Sequence, residues 1–387
     1  MRANPGGQLA TQDIVGRDVL VARLWDTLSR QSVVLSAERR MGKSHVLWKM
    51  RDEAPADRLV VYHDLEGVRT PLDFVELVLR DVERFLSRRD RLASRARRLL
   101  ADLQGVEVGD WVKLPPGIAP HWKRLLTDAL ADLAEHEERT VVFFWDELPL
   151  MLHNVQQREG PGAAMEVLDV LRQVRQTHPT LRMVFTGSIG IHNVLSGLKE
   201  TGYANAPLND MRLVDVPPLE PADAADLARR LLAGEGIAGN DPGPVVDALA
   251  TATDGIAYYI HYVIDELKQR GGAADPAAVE AVVRHCLSDP EDGWHMAHYR
   301  ERLDTYYGPE RRPLALALLD VLAHDGPLPF APLFDRLKAR TALADAEAER
   351  VRDLLTLLQR DHYLRLDADG YAFRFPLIRR WWAIHRG

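Results

Sequence analysis

Chemistry is concentrated first in the stretch Ala37-Glu38-Arg39-Arg40-Met41-Gly42-Lys43-Ser44, which directly follows the apolar, β-branched run Ser32 to Ala37. A phosphate-binding loop has the pattern G-x-x-x-x-G-K-[ST]. Its backbone N–H groups point inward to cradle phosphate oxygens, and the helix that follows adds its positive N-terminal dipole. In that arrangement Lys43 reaches the β- and γ-phosphates and the Ser44 hydroxyl ligates Mg²⁺. Gly42 allows a backbone approach that a Cβ would block. Ala37 stands where the pattern has its first glycine, which is acceptable where φ stays negative.

A second candidate lies about 100 residues downstream. Val141-Val142-Phe143-Phe144-Trp145 is an apolar strand that ends in two acids, Asp146 and Glu147. Asp146 is suited to hold Mg²⁺ through water, and Glu147 to orient or deprotonate an attacking water. A third apolar strand ends in Thr186-Gly187-Ser188. A hydroxyl at that tip, Ser188 being the candidate, is placed to sense a γ-phosphate. The same residues equally suit a capping turn before the helix that contains Asn193.

These groups need a scaffold that brings several strand tips together. Apolar runs at Ser32–Ala37, Arg58–Leu65, Thr140–Glu147 and Leu181–Ser188 read as strands. Helical patterns at about Asp18–Ser29, Pro71–Leu103, His121–His136 and Gly162–His178 alternate with them. That alternation predicts an α/β domain with a mainly parallel sheet and helices on both faces. After Val214–Pro221 the strand signals stop, and residues 222–285 read as helices. From about Arg312 the pattern is helix, helix, helix and a hairpin at Asp369-Gly370, which suggests a winged helix.

The composition agrees with a folded, multi-domain chain. At roughly 150 residues per domain, 387 residues make two to three domains. Hydrophobic residues at 46% and charged residues at 27% supply a core and exclude wholesale disorder. A net charge of -8 argues against a general polyanion-coating protein. The single cysteine, Cys286, excludes an internal disulfide framework and a cysteine zinc cluster and fits a reducing cytosol. No signal-peptide core or membrane-length apolar run is present, so a cytoplasmic protein with no membrane partner is expected. The fourteen histidines form no ligand cluster, and Gly187-Ser188-Ile189-Gly190 is not a nucleophile elbow.

Several further stretches sharpen the reading. Ile14-Val15-Gly16-Arg17-Asp18, AERRMGKS, YHDLEG (Tyr62 to Gly67), FTGSIG, Thr253-Asp254-Gly255-Ile256-Ala257-Tyr258-Tyr259 and RFPLIRRWW (Arg374 to Trp382) together resemble P-loop ATPases of the AAA+/STAND type, in the archaeal-type or prokaryotic ATPase group. The resemblance covers nearly the whole chain. It implies an ATPase core over 1–213, a helical lid over 214–288 and a winged-helix domain with its linker over 289–387. It implies that Val15 and Gly16 contact adenine. With Arg17, and with the loop residues Ala37, Glu38, Arg39, Arg40, Met41, Gly42, Lys43, Ser44 and His45, they make up the nucleotide-binding set. Ser44 and Asp146 are the Mg²⁺ ligands, and Lys43, Asp146, Glu147 and Ser188 the catalytic set. Ala37 and Ala257 depart from the family pattern at a glycine and a proline.

The activity implied is that of an ATP-dependent molecular switch with slow turnover to ADP and phosphate, acting with a protein partner or by self-association. Alternatives are a DNA-acting ATPase (an initiator, transposition or defence component) and a nucleotide-binding scaffold without catalysis. For DNA, the segment Arg84–Arg98 and the tail Arg374, Arg379, Arg380 and Arg386 are the basic candidates. The expected recognition helix, about Ala346–Arg360, carries Asp345, Glu347, Glu349 and Asp353 near its start, which is poor electrostatics for a groove reader. Arg172 and Arg175 are candidates to reach a neighbouring nucleotide, with a solvated helix face as the simpler reading.

Overall fold

The computed structural model describes residues 1–86, 94–104, 114, 116–187, 190–237, 242–271, 274–341 and 343–386. The chain divides into two compact units. One comprises Asp18–Ser36 and Lys43–Val216, the other Met1–Arg17, Ala37–Gly42 and Pro217–Gly387.

The first unit is built on β1 (Val33–Ser36), β2 (Arg58–Asp64), β3 (Thr140–Asp146), β4 (Leu181–Thr186) and β5 (Arg212–Asp215). Among the described residues these form one sheet in the order β2-β3-β4-β1-β5. Every pairing is parallel, as the alternation of strands and helices predicts. The edge strand β5 is short and half solvent-facing, so RLVD carries no apolar run to announce it. The interior strand β3 is buried almost throughout. Its Trp145 is fully enclosed, with ring centroids 5.1 Å from Phe74, 5.0 Å from Phe143 and 5.9 Å from Phe185. Full burial of one such side chain contributes roughly 1.5–3 kcal/mol.

Two helical expectations are corrected. The single helix expected over Pro71–Leu103 is two, Pro71–Phe85 and Arg95–Gln104. The first opens on a Thr70/Asp73 capping box and ends where Leu86 turns extended. The second is capped by Ser94, whose hydroxyl accepts from Arg97 N and donates to Asp132. Residues 87–93, with Arg88, Arg89 and Arg91, lie outside the described residues, as does most of the loop expected after Gly105. A helix at Leu148–Glu159, with Pro149 near its start, was not among the helical patterns expected. Pro149 sits in the first turn, where no backbone N–H is needed.

The second unit is helical: Pro221–Glu235, Gly243–Ala252, Ala257–Arg270, Pro276–Ser288, His298–Tyr306, Gly308–Asp325, Phe330–Arg340, Ala348–Arg360 and Pro376–Arg386. Ala257 occupies the first position of its helix, the place a proline would favour, and forms it without one. Near the C-terminus β6 (Leu364–Asp367) and β7 (Gly370–Phe373) pair antiparallel. Leu328 bridges to Tyr371 through reciprocal backbone hydrogen bonds of 3.1 and 2.8 Å. Trp381 and Trp382 are core residues, the latter donating Nε1 to Asp320 at 2.8 Å. Among the described residues no helix is long and apolar enough to cross a membrane.

Candidate functional site

In the sheet unit, three strand tips carry the candidate chemistry. Lys43 and Ser44 begin the helix Lys43–Asp52 that follows β1, and Asp146 ends β3. The Ser44 hydroxyl donates to Asp146 Oδ2 at 2.7 Å. Tyr62, on the neighbouring strand β2, donates its hydroxyl to the same oxygen at 3.3 Å. Burial pushes the Asp146 carboxyl up from its ordinary value, while the Ser44 hydrogen bond and the Lys43 charge pull it back. Asp64, opposite Asp146 in register, adds to the rise. His45 packs edge-on against Trp48, at 4.9 Å between ring centroids.

Glu147 follows Asp146 with φ 58 and ψ 29, left-handed backbone that a non-glycine residue adopts only at a cost. That turn ends β3, and the next helix starts at Leu148 with Pro149 in its first turn. Gly187, at the end of β4, lies against both. A Cβ built there would sit 2.7 Å from Pro149 Cδ and 3.4 Å from Glu147 Oε2. Beside it Thr186 is 2% exposed, and its Oγ1 is buried with no hydrogen-bond partner among the described residues. Parallel pairing puts Thr186 next to Leu35 of β1, and Phe185 next to Trp145 of β3. Ser188 lies outside the described residues. The described hydroxyl at this tip is Thr186, which the sequence reading passed over in favour of Ser188 because both stand in the same short motif.

The remaining loop residues belong to the helical unit. Left-handed backbone falls at Arg40 (φ 69) and Gly42 (φ 84), not at Ala37, so the alanine methyl meets no backbone penalty. The side chains are held one by one. Arg17 is 5% exposed and donates to Met41 O at 3.1 Å and to Pro217 O at 2.9 Å. Its pKa is lowered to about 10 by burial, against the attraction of Asp223. The Arg40 guanidinium lies 4.2 Å from the Tyr258 ring centre. Glu38 is 2% exposed and accepts from Arg302 Nη1 at 2.8 Å. Burial raises the Glu38 pKa, but the Arg302 charge and the neighbouring His298 outweigh it and hold the carboxyl well below its usual range. Gly16 (φ 70), next to Val15, is packed so closely on the helix Pro221–Glu235 that a Cβ would stand 2.7 Å from Asp223 Cβ.

Other cations singled out by the sequence are engaged internally. Arg175 is buried and makes two hydrogen bonds to Asp210, at 2.9 and 3.0 Å, and one to Pro207 O at 2.6 Å. It is neither a solvated residue nor free to reach outward. Arg97 pairs with Glu83, and Arg95 with Glu135 at 2.5 Å. In the tail, Arg386 pairs with Asp320 at 2.8 Å, Arg380 with Glu280 at 2.6 Å, Arg379 donates to Ala323 O at 2.9 Å, and Arg374 meets His362. Arg350 and Arg352 pair with Glu347 and Glu349. Cys286 is buried, and burial pushes its thiol up to about 12, outside the range of a reactive thiolate.

The oxygen donors Ser44 and Asp146 are of the hard kind that Mg²⁺ accepts. Mg²⁺ commonly takes only one or two protein ligands and fills its shell with water and phosphate. The close approach of the two side chains therefore fits the metal.

No protein-family model matches the chain, and no curated protein matches it in sequence. Solved structures do. The Walker-type ATPase PABY2304 of Pyrococcus abyssi matches with a TM-score of 0.66 at 17% identity, over 99% of each chain. The ORC2 protein of Aeropyrum pernix, in its ADPNP–ADP complexes, matches with a TM-score of 0.51 at 11% identity, over 95% of this chain and 90% of that one. The likeness is one of fold: the chain shares with both a parallel sheet flanked by helices.

Proposed function

We propose that this protein binds ATP with Mg²⁺ on the segment Ala37–Ser44 and hydrolyses it slowly, as a nucleotide-dependent switch. The observation that carries the reading is the 2.7 Å hydrogen bond from Ser44 Oγ to Asp146 Oδ2, between residues 102 apart in sequence. It joins the end of the loop motif to the end of the acidic strand, the pairing a Mg²⁺–phosphate site requires. Both likenesses support it, one to a protein described as an ATPase and one to a structure described with ADPNP and ADP.

In this reading the N–H groups of the loop and of the helix starting at Lys43 hold the phosphates, and the Lys43 ammonium neutralises charge on them. Ser44 and Asp146 hold Mg²⁺, which when bound polarises the phosphate oxygens. Glu147 orients the attacking water and takes its proton, and its strained backbone fixes where the carboxylate points. The Thr186 hydroxyl supplies a hydrogen bond near the terminal phosphate. Val15 and Gly16 line the adenine side. The switch part of the reading is supported by Glu38, Arg40 and Met41, which are each held by residues at or after Pro217 or by Arg17. The reader of that switch is a protein partner or a second copy.

The elements from Gly308 to the end, with their hairpin, are read as a winged helix that contacts protein. The internal pairing of the tail arginines weighs against the DNA-acting alternative. The negative φ at Ala37 removes the reason for preferring a non-hydrolysing scaffold.

Calorimetric titration with ATP and Mg²⁺, alongside phosphate release, tests the reading. Lys43→Ala is expected to abolish binding, and Glu147→Gln to keep binding while phosphate release stops. Equal ATP affinity in wild type and Lys43→Ala refutes the site.

A further inference from the structure

An acid inside a loop that is to hold a polyphosphate is an electrostatic contradiction, and the fold resolves it at one place. Glu38 is almost fully buried, and its Oε1 accepts both Arg39 N at 2.7 Å and Arg302 Nη1 at 2.8 Å. His298 Nε2 stands 3.8 Å from the same oxygen. Arg302 comes from the helix His298–Tyr306, 264 residues away in sequence.

Arg302 is in turn fixed from behind. Its Nη2 donates to Asp361 O at 3.3 Å and lies 3.5 Å from Asp361 Oδ1. Asp361 is 1% exposed and accepts from the Tyr307 hydroxyl at 2.7 Å. The Tyr363 ring centre lies 5.3 Å from the guanidinium carbon. Two carboxylates and one backbone carbonyl thus hold one guanidinium in a single orientation, with one amino group turned to the loop. A buried ion pair of this kind is a weak source of net stability, because desolvation opposes it. Its consequence is local: it decides the charge of the loop.

We propose that Arg302 is a positioning residue for nucleotide binding, acting through Glu38: by neutralising and anchoring that carboxylate it leaves the loop free to accept a polyphosphate. This rests on the ATP-binding reading above. Without Arg302 the carboxylate keeps the Arg39 N–H but loses its guanidinium counter-charge, and it opposes the phosphates. Without both charges the opposition disappears. A purely structural pair behaves differently, since removing either partner alone leaves an unpaired buried charge that loosens the loop, so Glu38→Gln would then weaken binding as Arg302→Gln does.

The test is titration of the full-length protein with ATP and Mg²⁺ for wild type, Arg302→Gln, Glu38→Gln, the double variant and Lys43→Ala, with thermal melting as the folding control. The Arg302→Gln variant is expected to lose affinity on the order of tenfold or more. Glu38→Gln, which leaves the Arg302 charge uncompensated in the loop, is expected to bind ATP more tightly than wild type, and the double variant to recover to within about threefold of wild type. If Arg302→Gln does not fold, Glu38→Gln and the double variant decide by the same criteria. A folded Arg302→Gln protein that binds like wild type overturns the proposal. So does a double variant without recovery, or a Glu38→Gln protein that binds tenfold more weakly. Wild type that binds no ATP, or binds it independently of Lys43, removes the underlying site as well. Lys43-dependent binding with unchanged Arg302→Gln removes this proposal alone.

Discussion

Replacing Gly187 with alanine adds one methyl group at the point where β4 and the Glu147 turn touch. The methyl carbon would sit 2.7 Å from Pro149 Cδ and 3.0 Å from Cγ, closer than real contacts allow, and 3.4 Å from Glu147 Oε2. Gly187 lies outside the left-handed backbone region, so the effect is steric contact alone. Pro149 cannot swing aside, because its ring is part of the backbone of the helix Leu148–Glu159. The overlap therefore moves the turn that carries Glu147. Overpacking of this size costs about 1–3 kcal/mol. If all of it falls on the transition state, the turnover rate drops by ~5- to 150-fold. ATP affinity should hold, since Lys43, Ser44 and Asp146 are untouched. Phosphate release at saturating ATP with Mg²⁺, beside a binding titration, measures both. A Gly187→Ala protein that hydrolyses ATP at the wild-type rate refutes the placement of Glu147 as the water-orienting group.

Two further predictions follow from buried polar groups. Thr186→Val keeps the shape and removes a hydroxyl that has no partner among the described residues. Melting should show a protein as stable as wild type or up to about 1 kcal/mol more so, while phosphate release falls about tenfold or more. Asp254 is held by burial at a pKa of about 6, against the Leu377 N–H that donates to it at 2.7 Å and nearby Arg380. The folded state then binds a proton that the unfolded state, near 3.8, has released. Stability from this group is present below about pH 4 and is lost as pH rises through 6, a loss of about 3 kcal/mol when complete. Asp254→Asn should abolish that slope in denaturant titrations at pH 4.5 and 7.5, and asparagine also suits the left-handed backbone there. An unchanged slope would show that Asp254 is not the titrating group.

The sequence determined the local chemistry. Gly42-Lys43-Ser44 after a β-branched run, and Asp146-Glu147 after five apolar residues, are patterns in which neighbours along the chain set the element and suggest the chemistry. The alternation of strands and helices likewise required a parallel sheet, because a parallel crossover needs a helix. The tertiary structure decided which distant groups meet. No local signal links Glu38 to Arg302, Arg175 to Asp210, Tyr62 to Asp146 or Gly187 to Pro149 and Glu147. An arginine looks the same in sequence whether its guanidinium ends in water, on a carboxylate or on a backbone carbonyl. Periodicity reports which face of an element is buried, not which element covers it. The strand order and the burial of isolated charges therefore appear only when packing fixes the partners, and at those places the loop acquires its charge balance and Glu147 its position.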